Sequence, residues 1–270
     1  MPKPALGQHY LIDRGVLRRI VDAAELRPSD TVLEVGPGRG GLTKELVDGA
    51  GTVLAIEMDA ALADSLPGRL NNPPNLTVMC GDARTFDLGP VSSIPGGYKV
   101  VANLPYYAAS PIVRRFLEAP VKPSLMVVTV QKEVAEVMVA KPGRMGILSV
   151  GIQFYGEPEI VCIVPPRSFR PAPRVTSAVV CINVRPAPVV QVDNVPAFFS
   201  VVQAGFAAPR KQLRNSLALG LKRPPTEAEH LLVSAGLDHH RRPATLSIPE
   251  WARLYQTCVE ETAAEGAGVR

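Results

Sequence analysis

The chain has 270 residues, 46% hydrophobic and 20% charged, enough apolar residues to bury one good-sized core and a smaller second one, and too many for a disordered chain. Its four cysteines, Cys80, Cys162, Cys181 and Cys258, are scattered, form no CxxC pair and lack histidines at ligand spacing, which argues against a disulfide framework or a metal site. Net charge is +4, no stretch approaches the ~20 apolar residues of a membrane span, and "MPKPALGQHYLIDRG" holds no signal-peptide run, so a soluble cytoplasmic protein without a membrane partner is expected.

In chain order, amphipathic stretches alternate with β-branched apolar runs. "GVLRRIVDAAEL" (15–26) reads as a helix, "TVLEVG" (31–36) as a strand, "GLTKELVDG" (41–49) as a helix, and "TVLAIEM" (52–58) and "LTVMCGD" (76–82) as strands. "YKVVANL" (98–104) and "LMVVTV" (125–130) follow as strands, each leading to a helix, "SPIVRRFLEA" (110–119) and "KEVAEVMVA" (132–140). Runs so uniformly apolar suit strands buried on both faces of a parallel sheet, and their alternation with helices predicts a doubly wound α/β fold. Two further strands near 160–165 and 178–184, separated by "PPRSFRPAPRVTS" with no helix between, are expected to pair antiparallel at one edge. After "RPAPVVQVDNVP" the strand signal stops, and residues 195–265 read as four helices. The expected division is a catalytic domain over 1–185 and a helical domain over 186–270.

Charge is unevenly spread along this plan. Between 160 and 226 stand nine Lys or Arg (Arg167, Arg170, Arg174, Arg185, Arg210, Lys211, Arg214, Lys222, Arg223) against one acid, Asp193. A cationic zone on an otherwise acidic chain fits a polyanion partner, and equally fits a solvated face.

Ligands of an open parallel sheet sit outside the carboxyl ends of its strands. The first strand runs into "GPGRGG", where Gly36 and Gly38 permit a tight turn and close approach of a ligand to the backbone ahead of a helix N-terminus. Gly36, Gly38 and Gly41 also satisfy GxGxxG, so this loop suits a nicotinamide cofactor as well as S-adenosylmethionine. Glu57 ends the second strand, where a carboxylate can accept both hydroxyls of a ribose or serve a helix N-terminus. Asp82 ends the third in "GDAR", as acceptor for an adenine amino group or as the cap of an Asx turn. Met58 and Ala83, the neighbours of these two carboxylates, are assigned to the same cofactor site.

The fourth strand ends in "NLPYY" (103–107), an expensive exit unless it has chemical work. An adenine N6 is a poor nucleophile because its lone pair is delocalised into the ring. Acceptors that hold its hydrogens favour a more tetrahedral nitrogen, and the Asn103 side-chain carbonyl and the Leu104 backbone carbonyl can supply them. Pro105 stiffens the turn, and Tyr106 offers a flat face to an extruded base.

Together, "LGQHYLID", "VLEVGPGRGGLT", "AIEMD", "GDA", "ANLPYY", "FRPAPRVTSAVV" and "RKQLRNSL" resemble, over nearly the whole chain, the KsgA/Erm family of ribosomal RNA adenine dimethyltransferases. The resemblance implies a Rossmann-like sheet dependent on S-adenosylmethionine, with a small C-terminal helical domain. It also implies His9 and Leu11 on the methionine side, Gly36 and Gly38 in the glycine loop, Glu57 on the ribose, Asp82 on the adenine and Asn103 at the reacting centre. Phe169 of "FRPAP" is implied to stack on the target base opposite Tyr106. His9-Tyr10 replaces the Asn-Phe common in the family, and Pro209 stands where a basic residue often precedes "RK". "RKQLRNSL" resembles the housekeeping, small-subunit branch more than the resistance branch. That implies N6,N6-dimethylation of two adjacent adenosines in a 3′-terminal hairpin loop of small-subunit RNA, in an assembling 30S particle, by a monomer. Arg210, Lys211 and Arg214, close to one face of a helix, are the expected RNA contacts. A nicotinamide dehydrogenase leaves "NLPYY" without a job, and intact Asn103, Glu57 and Asp82 argue against a non-catalytic RNA-binding assembly factor.

Overall fold

Residues 9–92 and 97–267 are described by the structure, a computed structural model. Its strands are β1 (Tyr10–Leu11), β2 (Thr31–Val35), β3 (Thr52–Glu57), β4 (Leu76–Cys80), β5 (Lys99–Asn103), β6 (Leu125–Gln131), β7 (Gly156–Val164), β8 (Phe169–Arg170) and β9 (Ser177–Val184). The helices are α1 (Arg14–Ala24), α2 (Gly41–Gly49), α3 (Ala60–Arg69), α4 (Gly89–Ser92), α5 (Ala109–Glu118), α6 (Lys132–Met138), α7 (Ile147–Tyr155), α8 (Val195–Gly205), α9 (Leu213–Leu221), α10 (Pro225–Ser234) and α11 (Ile248–Ala267). Leu6, Gly7 and Gln8 of "LGQHYLID" lie outside the described residues.

The β-branched runs become the central sheet because both of its faces are covered: β6 is buried from Leu125 through Val130. Among the described residues the strand order is β4-β3-β2-β5-β6-β9-β7. Strands β2 to β6 are mutually parallel, and β9 runs antiparallel to both β6 and β7. The chain therefore winds outward from β2 through β3 to β4, then in the other direction through β5 and β6. Its switch point lies between β2 and β5, which opens a crevice at the ends of those strands. The expected antiparallel pair is present at the far edge, with β7 beginning at Gly156, earlier than the sequence indicates. Local chemistry starts the helices: Asp13 accepts the Gly15 and Val16 N–H groups at α1, and Asp59 those of Ala61 and Leu62 at α3. Helix α1 then lays Val16, Leu17, Ile20 and Ala24 into the core on one stripe.

Two compact units divide the chain. One comprises residues up to 136 together with 156–186, the other 137–155 together with 187–270. The single boundary expected at 185/186 leaves out the excursion of 137–155, which belongs with the helices. Its α7 escapes a periodicity reading because it is buried or half-buried on nearly every side, its polar Ser149 and Gln153 included, both hydrogen-bonded to backbone carbonyls. Phe154 meets Phe198 and Phe199 at ring-centroid distances of 5.1 and 5.3 Å, whereas an amphipathic stripe needs one wet face. Helices α8 to α11 are the four expected after residue 195.

One expectation for this second unit needs correction. Arg210 and Lys211 do not share a helix face with Arg214, because α9 starts only at Leu213. They precede it, exposed, in a turn closed by the Lys211 N–H on the Ala208 carbonyl at 2.9 Å. Pro209 disfavours helical backbone at Ala208. Ser216 Oγ holds the turn by accepting the Ala208 N–H at 2.8 Å and donating to the Gly205 carbonyl at 2.6 Å. Arg214 does lie on α9, but its guanidinium pairs with Glu229 at 2.9 Å.

Candidate active site

At the switch point lies a cleft of about 980 Å³, counting its open mouth, whose walls are the loops after β2, β3, β4 and β5. It brings together His9, Gly36, Gly38, Glu57, Met58, Asp82, Ala83, Asn103, Leu104, Pro105 and Tyr106, residues drawn from five separate stretches of sequence.

The glycine loop owes its shape to three positive φ angles, +68° at Gly36, +57° at Gly38 and +84° at Gly40. A side chain on Gly38 would collide with the Tyr10 ring, 2.7 Å from the Cβ position, whereas the nearest atom to a Cβ on Gly36 is the Asn103 carbonyl oxygen at 4.0 Å. Gly38 thus serves packing and Gly36 leaves backbone open to a ligand. Glu57 ties this loop to the next: Oε2 accepts the Gly38 N–H and Oε1 the Asp59 N–H, each at 3.0 Å. Each oxygen keeps a second lone pair for a hydroxyl donor.

Asp82 forms an Asx turn, accepting the Arg84 N–H at 2.9 Å, and its carboxylate is also gripped by the Arg84 guanidinium at 2.6–3.0 Å. These Arg84 hydrogen bonds hold its carboxyl below the usual carboxylate range. The acceptor proposed for an adenine amino group therefore already has a partner, which a ligand must share or displace. Arg84 and Tyr107, 5.9 Å from guanidinium carbon to ring centroid, stand at the same end of the cleft. Neither was singled out in the sequence, although both lie inside the "GDAR" and "NLPYY" motifs.

Asn103 has its amide oriented by the fold. Nδ2 donates to the His9 carbonyl at 3.0 Å, which leaves Oδ1 as the acceptor. His9 is held in turn, its Nδ1 donating to the Pro171 carbonyl at 2.7 Å. Its ring stacks on Tyr106 with centroids 5.8 Å apart and planes at 27°. The Tyr106 hydroxyl shares a 2.6 Å hydrogen bond with Ser177 Oγ at the start of β9, and burial pushes its phenol upward against that bond. Ser177 gave no sequence signal beyond its place in "VTSAVV".

Leu11 and Phe169 stand apart from the cleft. They face each other in the short β1–β8 ribbon, where Tyr10 opposes Arg170 and Leu11 opposes Phe169. Strand alternation sends Leu11 and Phe169 into the core, 6% and 2% exposed. Phe169 therefore does not line the cleft that contains Tyr106. Among the described residues no group of three or more His, Cys, Asp or Glu is arranged to hold a metal ion, and no helix is long and apolar enough to cross a membrane.

Comparison with known proteins follows the same lines. The family described as ribosomal RNA adenine dimethylase matches residues 2–258. A ribosomal RNA small subunit methyltransferase A from Dehalococcoides mccartyi (strain CBDB1) is 45% identical over 258 residues, covering 96% of this chain and 88% of that protein. One of the same name from Pelotomaculum thermopropionicum is 42% identical over 265 residues, covering 94% and 90%. Among solved structures, 23S rRNA methyltransferase ErmE superimposes with a TM-score of 0.72 at 33% identity over 92% of this chain and 98% of that one. A dimethyladenosine transferase from Plasmodium falciparum shares the fold with a TM-score of 0.80 at 24% identity, covering 94% and 98%.

Proposed function

We propose, starting from the fact that the chain belongs to the ribosomal RNA adenine dimethylase family, that this methyltransferase uses S-adenosylmethionine to dimethylate N6 of two adjacent adenosines in a 3′-terminal hairpin loop of small-subunit RNA. Its site of action is the cytoplasm, on an assembling 30S particle, and it works as a monomer. The small-subunit choice is supported by relatives named for that subunit at 45% and 42% identity, against 33% for the large-subunit enzyme ErmE. The observation that carries the chemistry is the Asn103 amide, turned by the His9 carbonyl so that its oxygen is the free acceptor.

The cleft fits the cofactor. Gly36 leaves open backbone for its approach, Glu57 keeps lone pairs for two ribose hydroxyls, and Asp82 with Ala83 lies where an adenine edge would be read. When bound, S-adenosylmethionine supplies an electrophilic methyl group on a sulfonium. The chain's own part is to hold the target amino group. Asn103 Oδ1 accepts one N6 hydrogen and the Leu104 carbonyl the other, drawing the nitrogen lone pair out of the ring. Pro105 keeps that turn stiff, and Tyr106, anchored through Ser177, supports the base. Since N6-monomethyladenine keeps one N–H for the same acceptors, a second transfer needs only room for one methyl group. Arg210 and Lys211 are the exposed cations that would neutralise RNA phosphates.

Glu57→Ala is expected to weaken S-adenosylmethionine binding by about 1.5–3 kcal/mol, the size of a lost charge-assisted hydrogen bond. Calorimetry on the purified variant checks this, and unchanged affinity would remove Glu57 from the cofactor site. The function itself is tested by mass spectrometry of ribosomal RNA from cells with and without the protein. Loss of dimethyladenosine at adjacent positions of small-subunit RNA is expected. Modification confined to large-subunit RNA would place the chain with the resistance branch instead.

A further inference from the structure

Arg115 is neither in the cleft nor in any of the motifs. It lies in the last turn of α5, the helix that starts six residues beyond Asn103, and reaches across to the loop after β4. There Nη1 donates to the Arg84 carbonyl at 2.8 Å and Nη2 to the Phe86 carbonyl, while Nε is buried with no hydrogen-bond partner among the described residues. The loop it grips is closed on itself. The Thr85 and Phe86 N–H groups both donate to the Asp82 carbonyl, at 2.9 and 2.7 Å, and the Phe86 ring lies 2.6 Å from where a Cβ on Gly81 would stand. Asp82 to Phe86 is thus a closed turn, and the planar fork of one guanidinium hydrogen-bonds it to α5 through two of its carbonyls.

We infer that Arg115 is a positioning residue for the nucleobase end of the cleft, holding the Asp82–Phe86 turn against α5 so that Asp82 meets the adenine edge of the cofactor. This rests on the reading of the cleft as an S-adenosylmethionine site. The arrangement also sets the turn relative to the "NLPYY" loop, because α5 continues from it, so the nucleobase end and the reacting end share one rigid support. A lysine at 115 keeps the charge but presents a point donor, which cannot serve two carbonyls in a fixed plane as a guanidinium does.

The test uses the full chain and two probes, S-adenosylhomocysteine and S-inosylhomocysteine, which differ only at the nucleobase edge. Calorimetry on wild type is expected to favour the adenosine form, and Asp82→Ala to abolish the preference. Arg115→Ala is expected to weaken S-adenosylhomocysteine about tenfold and to shrink the preference towards one, the size of one lost charged hydrogen bond. The KM for S-adenosylmethionine should rise by a similar factor, with kcat changing less than about threefold. Arg115→Lys should fall between the two, and it supplies the same readouts if Arg115→Ala does not fold. Wild-type preference in both Arg115 variants, or equal loss of both probes, overturns the positioning role while Asp82→Ala still behaves as expected. A preference that survives Asp82→Ala instead overturns the reading of the cleft, and the inference falls with it.

Discussion

Replacing Asn103 with alanine is expected to lower kcat for methyl transfer by about 10²- to 10³-fold, the range found when one preorganised transition-state hydrogen-bond partner is removed. RNA affinity should change far less, because the acceptor matters most once the N6 lone pair leaves the ring. Stability should fall by only about 1 kcal/mol, since the 3.0 Å bond from Nδ2 to the His9 carbonyl is a single partly buried neutral hydrogen bond. Asn103→Asp separates the two roles of the amide. The carboxylate keeps an acceptor but has no N–H for the His9 carbonyl, so its orientation is lost and an intermediate rate is expected. Single-turnover methylation of small subunits lacking the modification measures the rate of transfer and, from its concentration dependence, RNA affinity, and denaturant unfolding measures stability. Wild-type kcat in Asn103→Ala would show that the motif does not prepare the amino group.

Glu34→Gln should flatten the pH dependence of stability and stabilise the protein at alkaline pH. Glu34 lies in β2, paired opposite Ala55 and 1% exposed, with Oε2 lacking a hydrogen-bond partner among the described residues. Burial, with repulsion from the Glu57 carboxylate added and the Thr43 side chain acting against both, pushes its carboxyl up to about 8. The folded chain thus keeps this proton up to about pH 8, while the unfolded chain releases it near the ordinary 4.5. Between those values the folded state binds more protons, so the Glu34 contribution to stability falls as pH rises, by about 1.4 kcal/mol per pH unit. Below the unfolded value the slope vanishes. Denaturant unfolding of wild type and Glu34→Gln across pH 5 to 9 should show curves that separate up to about pH 8, the variant gaining as pH rises, and that run parallel above it. Curves parallel throughout would mean that Glu34 is ionised in the folded protein.

The carboxylates Glu57 and Asp82 and the amide Asn103 were legible because their positions follow from local pattern. Each ends a β-branched run, and strand ends in a parallel sheet form one line of ligand-facing positions. Their partners were not legible. The Asp82 motif announces an acceptor, but the sequence does not say that Arg84 fills it. Nor does "NLPYY" say that the backbone of His9, 94 residues earlier, orients the amide.

By itself, then, the sequence determined the alternation of strands and helices, the antiparallel pair at the far edge, and the crevice residues at the ends of β2 to β5. These depend on hydrophobic period and turn chemistry within a few residues. Tertiary structure alone decided which side of the β1–β8 ribbon meets the core, and so removed Leu11 and Phe169 from the cleft wall. It also moved 137–155 into the helical unit, set Arg210 and Lys211 in a turn ahead of α9, and brought Arg115 to the loop of Asp82. The reason is common to all four. A residue's type and spacing state what it can bury or donate, whereas the partner that takes the bond or covers the ring comes from another element, selected by how the whole chain packs.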